Sequence, residues 1–413
     1  MSEFSALRID GARLLQRLKD LSQFGALEGG GTNRLALSDA DRAGRDWTVG
    51  QMQALGMTVQ VDAIGNVVAT YAGTQDGLPV MTGSHIDTVR TGGLYDGNYG
   101  VLAGLEVVAT LRAAGRRTRR PLQVAFFTNE EGARFQPDML GSLVHVGGMP
   151  LEDALALRAV DNGALLGEEL ARIGYAGRAP VGRPRVDSFV ELHIEQGPVL
   201  DREGIAIGVV EGVQGICWTE LTFTGRSNHA GTTPMALRQD AGMAAARVAA
   251  FAHELSQRHG GRQLATVGAL TLQPNLVNVI AQSALMTVDL RNTDGARLRQ
   301  AQDELLAGAR RIAAEHGVLL SHRLLADFAP VAFDAALVES VERAARSQGL
   351  STLRLPSGAG HDAQMLARVC PTAMVFVPSR DGLSHNVREF TAPEQLVQGA
   401  NVLLQVLLER ADR

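Results

Sequence analysis

Residues 80–108 read VMTGSHIDTVRTGGLYDGNYGVLAGLEVV. The apolar run up to Ser84 has the character of a strand, and His85 follows at its end. A glycine-rich turn then leads to Asp96, and from Asn98 the spacing predicts a helix to about residue 114. Strand, turn and helix in this order open an α/β sheet, in which ligands gather beyond the carboxyl ends of the strands. Polar residues at such ends can therefore converge although they are remote in sequence.

Three further segments repeat the arrangement: VAFFTNEEGARF at 124–135, FVELHIEQG at 189–197 and MVFVPSRDGLSHN at 374–386. They place Glu130, Glu131, His193 and His385 after apolar runs, as His85 is placed. Alone, a strand histidine is ordinarily structural and a Glu-Glu pair ordinarily a solvated face. The recurrence points instead to a centre for two divalent ions, which needs imidazoles, carboxylates and one bridging carboxylate. Asp96, at the entry to a helix, is the expected bridge. The Glu130-Glu131 doublet offers one carboxylate for a metal and one to move a proton. Asp87 is expected to orient the His85 imidazole.

The first half of the chain alternates the two periods, with a helix at 38–56, strands at 57–62, 79–84 and 122–128, and a helix at 98–114. After Gly212 the pattern becomes strand, helix, two strands, helix, strand: CWTELTFTG at 217–225, then 237–258, 264–272, 278–291, 295–316 and 317–325. This is a split β-α-β plan of ferredoxin-like type. The expected fold is α/β: a catalytic domain with a central mixed sheet flanked by helices, residues 1–212 and 330–413, and an inserted α+β domain, residues 213–329. The stripe QLVQGANVLLQVLLERA at 395–411 reads as a helix packed on the first sheet.

Composition narrows the function classes. With 413 residues, 45% hydrophobic and 20% charged, two buried cores are within reach. A net charge of −5 gives no electrostatic reason to expect nucleic acid or an anionic membrane as partner. Cys217 and Cys370 are the only cysteines, too few for a thiolate zinc site, and they fit a reducing compartment. Lys19 is the only lysine, which rules out a P-loop and a Schiff-base lysine. The first twenty residues carry charges through what would be a signal core, so the expected location is the cytoplasm.

GSHIDTVRTGGLYDGNYGVLAGLEVV, TNEEGARF, ELHIEQGPVL, GRSNHAGTTPM, VDLRN, SGAGHDA and GLSHN resemble the hydantoinase/carbamoylase branch of the dinuclear metal amidohydrolases related to M20 peptidases. The branch includes N-carbamoyl-L-amino acid hydrolases, metal-dependent β-ureidopropionases and allantoate amidohydrolases. The resemblance implies one metal on His85, Asp96 and His193, a second on Asp96, Glu131 and His385, and Glu130 as general base. The ions implied are zinc, manganese, cobalt or nickel, and the implied assembly is a homodimer built through the inserted lid domain. His229, in GRSNHAGTTPM, is implied to reach the partner's active site and steady the oxyanion. Arg291 is suited to a substrate carboxylate as a planar fork, and Gln196 and Asn278 to the carbonyl and nitrogen of the scissile group. His361, in SGAGHDA, gains no role.

The expected reaction is hydrolysis of a linear ureido bond, giving amino acid, carbon dioxide and ammonia from an N-carbamoyl amino acid. Allantoate hydrolysis would use the same ligands. An M20 aminopeptidase or aminoacylase fits less well, because peptidases typically place a carboxylate where this chain has His193. A non-catalytic binding protein would be expected to lose ligands or the base, and none is missing.

Overall fold

The computed structural model describes residues 7–182 and 185–413. Contacts along the chain divide it into two compact units, one running to Gly212 and resuming over Ala332–Arg413, the other Val213–Val331.

Seven strands of a nine-stranded sheet in the first unit lie in the spatial order Thr58–Val61, Val67–Tyr71, Leu122–Phe127, Val80–His85, Ser188–Ile194, Thr372–Val377, Ile207–Val213. The middle four strands are mutually parallel, while the flanking pairs are antiparallel, so the sheet is mixed. Every residue of Val80–His85, Ser188–Ile194 and Thr372–Val377 is buried. Strands covered on both faces read as continuous apolar runs, which is why they stood out in the sequence.

The helix Asn98–Ala113 is buried on all sides over Asn98–Leu111. It packs on the sheet and against the helices Gly11–Leu21 and Pro393–Ala411. Glycines permit the close approach: a Cβ at Gly100 would lie 2.4 Å from the Leu192 carbonyl oxygen. Glu106, inside this helix, is fully buried, and the guanidinium groups of Arg13 and Arg17 donate to its carboxylate at 2.6–2.9 Å. Pairing of this kind makes a buried charge tolerable.

The second unit is a four-stranded antiparallel sheet in the order Leu319–Phe328, Gly215–Thr224, Ser283–Asn292, Leu264–Gln273, with the helices Ala241–His259 and Gly295–Glu315 on one face. The chain order is β-α-β-β-α-β. Leu221, Phe223, Met286, Val288 and Leu290 pack against Val248, Leu255, Leu305 and Ile312. The period of two places Trp218, Glu220 and Leu285 on the opposite face.

Two boundaries of the second unit differ from the sequence reading by four residues or more. The third strand begins at Ser283 and not at 278, because 278–280 pairs with the preceding loop: Ala230 N–H donates to the Asn278 carbonyl and Ile280 N–H to that of Asn228. The helix expected from 237 begins at Ala241, after Asp240, whose carboxylate accepts from Met243 N–H as an N-cap. No helix among the described residues is long and apolar enough to cross a membrane.

Candidate metal centre

The carboxyl ends of the four parallel strands carry the predicted polar groups to one place. His85 ends its strand and His193 is the penultimate residue of its own, while Glu130-Glu131 and His385 sit on the loops beyond the other two. Asp96 enters through a turn at Gly97, where φ is +65°. A Cβ at Gly97 would stand 2.4 Å from the His85 ring, so the residue beside the imidazole has to be glycine.

Asp96 faces two ways. Its Oδ1 lies 3.5 Å from His85 Nε2 and 3.2 Å from His193 Nε2, and its Oδ2 lies 3.3 Å from His385 Nε2. Glu131 Oε2 is 3.2 Å from His385 Nε2, and Glu130 Oε2 is 3.4 Å from His85 Nε2. Two triads result, His85–Asp96–His193 and Asp96–Glu131–His385, each with ligand atoms within 4.8 Å of one another. The tautomers suit metal binding. His85 Nδ1 donates to the Asp87 carbonyl and His193 Nδ1 to that of Ile194, both at 2.9 Å, which leaves each Nε2 on the side of Asp96; His193 Nε2 also accepts from Gly97 N–H at 3.1 Å.

The electrostatics favour cations. Burial opposes a charged His85, yet Glu130, Asp96 and Asp87 outweigh it and raise its pKa well above the ordinary imidazole value. Hydrogen bonding to Asp96 and Glu131 pushes His385 up to about 10. Burial would raise the Asp96 carboxyl, but His193, His385 and His85 together hold it well below the usual range. Glu131 Oε1 is buried without a hydrogen-bond partner. An orphaned carboxylate oxygen among imidazoles that attract positive charge fits a divalent ion, and the mixed nitrogen and oxygen donors suit zinc, manganese, cobalt or nickel. Burial, reinforced by Asp362, Glu131 and Asp96, raises the Glu130 carboxyl well above its ordinary value despite the opposing His85.

The supporting contacts differ in part from expectation. Asp87 orients His85 through its backbone carbonyl, while its carboxylate accepts from the backbone N–H groups of Glu130 at 3.2 Å and Glu131 at 3.3 Å. Its side chain thus holds the doublet in place. Gln196, expected to meet substrate, donates from Nε2 to Asp96 Oδ2 at 2.8 Å and to Ser384 Oγ at 3.1 Å. His361 is fully buried, 2.9 Å from Ser357 Oγ, with its ring edge-on to His193 at 4.6 Å.

Sequence reasoning missed Arg34. It is fully buried and donates to the carbonyls of Ile86, Leu21 and Phe24 and to Asn98 Oδ1, at 2.7–3.0 Å. One guanidinium thereby ties the His85–Asp87 segment to the turn that carries Asp96. Burial lowers its pKa to about 10, with Asp41 and Asp87 opposing.

The remaining predicted residues belong to the second unit. His229 is exposed, and its Nδ1 accepts from the N–H groups of Gly231 at 3.1 Å and Thr232 at 3.2 Å. The ring proton therefore sits on Nε2, as a donor. Asn278 adjoins this loop through the Ala230 bond. Arg291 does not: it lies eight residues along its strand from Ser283, the end nearest His229. At about 3.4 Å per residue that is roughly 27 Å. Its guanidinium donates to Asp289 at 2.8–3.2 Å.

Residues 81–409 match the model of peptidase family M20/M25/M40. The chain is 42% identical over 406 residues, 98% of its own length and 97% of the relative's, to an N-carbamoyl-L-amino-acid amidohydrolase of Rhizobium meliloti. It is 35% identical over 395 residues, 95% of this chain and 96% of the relative, to the allantoate amidohydrolase of Escherichia coli. The crystal structure of a hydantoinase/carbamoylase family amidase from Burkholderia multivorans superposes with a TM-score of 0.96 at 46% identity, covering 99% of both chains. The chain therefore belongs to the peptidase M20/M25/M40 family, among its hydantoinase/carbamoylase amidases.

Proposed function

We propose that this amidase hydrolyses a C–N bond of the carbamoyl group of a linear ureido compound, an N-carbamoyl-L-amino acid or N-carbamoyl-β-alanine; the carbamate so formed loses carbon dioxide, and the products are amino acid, carbon dioxide and ammonia. The observation that carries the reading is a pair of ligand triads sharing Asp96, with the Glu130 carboxyl left over beside them. One divalent ion would be held by His85, Asp96 and His193 and the other by Asp96, Glu131 and His385. Together they would supply an acidified water and positive charge for the developing oxyanion. Glu130 takes the proton of the attacking water and returns it to the departing nitrogen.

Three lid residues, together with Gln196 of the first unit, recognise the rest of the substrate. Arg291 takes the carboxylate, Gln196 and Asn278 hydrogen-bond the ureido group, and His229 Nε2–H donates to the oxyanion. A ureido amino acid is far shorter than the roughly 27 Å of strand that separates the His229 end of the lid sheet from Arg291. One substrate meets both only if they come from different subunits, which supports a homodimer. The ten-residue edge strand Leu264–Gln273 supports it further, being open and carrying Leu264 and Leu270 at 49% and 44% exposure.

Ammonia release, with and without chelator, from N-carbamoyl-L-α-amino acids, N-carbamoyl-β-alanine and allantoate tests the reading. Chelator-sensitive turnover of a carbamoyl compound is expected. Turnover of allantoate alone would favour the second reading, which the Escherichia coli relative supports, and inertness toward all three would overturn both.

A further inference from the structure

The turn that presents Asp96 is TGGLYDG, residues 91–97, with glycine at three of its seven positions. Such a segment has little conformational preference of its own, yet it must hold the one carboxylate common to both triads. Glu389, a residue without a role so far, enters this turn. Its Oε1 accepts from the backbone N–H of Tyr95 at 2.9 Å and of Asp96 at 3.3 Å. Glu389 is 5% exposed, and a Cβ at Gly93 would lie 2.1 Å from that same oxygen, so the turn's glycine makes the room that the carboxylate fills.

The other end of the contact is equally specific. Glu389 is four residues after His385, and Ser384, the residue before that histidine, donates to Glu389 Oε2 at 3.1 Å. The Ser384 hydroxyl also lies 3.2 Å from Asp96 Oδ2. It has a single proton and can satisfy only one of the two carboxylates at a time. An ion on Asp96 Oδ2 would leave that proton to Glu389, drawing the His385 loop and the Asp96 turn together.

We propose that Glu389 is a positioning residue for the metal centre: it fixes the backbone of Asp96 to the loop that carries His385, and so sets the affinity of the ion shared by Asp96, Glu131 and His385. The inference rests on the two-ion reading above. Glu389 belongs to neither ligand triad. It acts through two amides and a hydroxyl, as outer hydrogen bonds do when they hold ligands at their coordination distance.

The test is manganese binding to the full chain after chelation, followed by equilibrium dialysis and by the spin-coupled resonance signal of a paired site. Wild type is expected to take up two ions and develop the coupled signal. Glu389→Ala should keep the first ion and weaken the second about 10–100-fold, losing the coupled signal before the single-ion one. Glu389→Gln retains an oxygen to accept both N–H groups, so its loss should be clearly smaller, and it serves if the alanine variant does not fold. Unaltered binding of both ions by Glu389→Ala would overturn the proposal. So would equal weakening of the second ion by the glutamine and alanine variants, because charge and not position would then be responsible. A parallel loss of both ions with a lowered Tm of the metal-free protein would overturn it in favour of a purely structural role. Uptake of a single ion by wild type would remove the two-ion reading itself, a failure visible without any variant.

Discussion

The strand ends of the first unit and the outward groups of the second treat polar side chains in opposite ways. His85, His193 and Asp96 are 1%, 1% and 4% exposed, and buried bonds from Asp87, Arg34 and Glu389 hold the His85 ring and the backbone around Glu130 and Asp96; His385 is the open member of the group, its side chain 51% exposed. His229 and Asn278 stand exposed on loops, and Arg291 is held by a neighbour on its own strand. A site whose ligands are locked by surrounding bonds needs no reorganisation when it works. Groups displayed with donors facing outward acquire their geometry only when something meets them. The contrast separates a candidate metal centre built from buried groups of the first unit from exposed polar groups carried by the second.

The hardest strike at the first half of that contrast is Glu130→Gln. Loss of a general acid-base group is expected to lower kcat by about 10²–10⁴-fold. Metal content should stay unaltered, since both triads close without Glu130. Steady-state ammonia release together with metal analysis checks both statements. Lost metal would move Glu130 into the ligand set and break the division of labour within the doublet.

His229→Ala strikes at the second half. Removal of one oxyanion donor should cost about 10²–10³-fold in kcat, with little effect on metal content. Mixing this variant with Glu130→Gln under conditions that exchange subunits sharpens the test. If His229 serves the partner's site, each mixed dimer has one site with both residues intact, and about a quarter of wild-type activity should return. No recovery would place His229 in its own subunit's site or outside the chemistry.

The same contrast explains what the sequence disclosed. The candidate ligands at strand ends were legible because a polar residue there interrupts or closes an apolar run, and Asp96 because a glycine-rich turn delivers it to a helix start; the β-α-β-β-α-β order of the second unit was legible through its alternating periods. Arg34 and Glu389 were not. Arg34 acts on carbonyls and on Asn98, and Glu389 on amides and a hydroxyl, far along the chain or across a loop. Nothing in GTNRLALS or NVREF marks such a partner. Asp87 was visible as a supporting residue, but which of its atoms supports which ligand depends on how the loops cross. The 278–282 segment, NVIAQ, has strand composition, and only its pairing with the His229 loop shows that it is not one.

Arg291→Met probes recognition with a smaller effect. A charge-assisted hydrogen-bond pair to a carboxylate contributes about 1.5–3 kcal/mol, so KM for an N-carbamoyl amino acid should rise roughly 10–100-fold while kcat changes little. An uncharged ureide without the carboxylate should be turned over equally well by wild type and variant. A fall confined to kcat would mean that Arg291 acts on the reacting group.

The smallest effect is the most discriminating for Arg291, because Asp289 already occupies the face of the guanidinium that a substrate carboxylate would use. The pair is a quarter exposed, 24% for the arginine and 26% for the aspartate side chain, so water screens it. An ion pair of that exposure is worth at most about 1 kcal/mol. If Asp289 competes with substrate, Asp289→Asn should lower KM for carboxylate substrates by up to about fivefold and leave kcat alone. If Asp289 instead holds the fork at the angle that substrate requires, the same variant should raise KM, because the freed side chain must be ordered on binding. The sign of the change thus tells whether the recognition surface is displayed ready for use or held by a surrogate until substrate arrives.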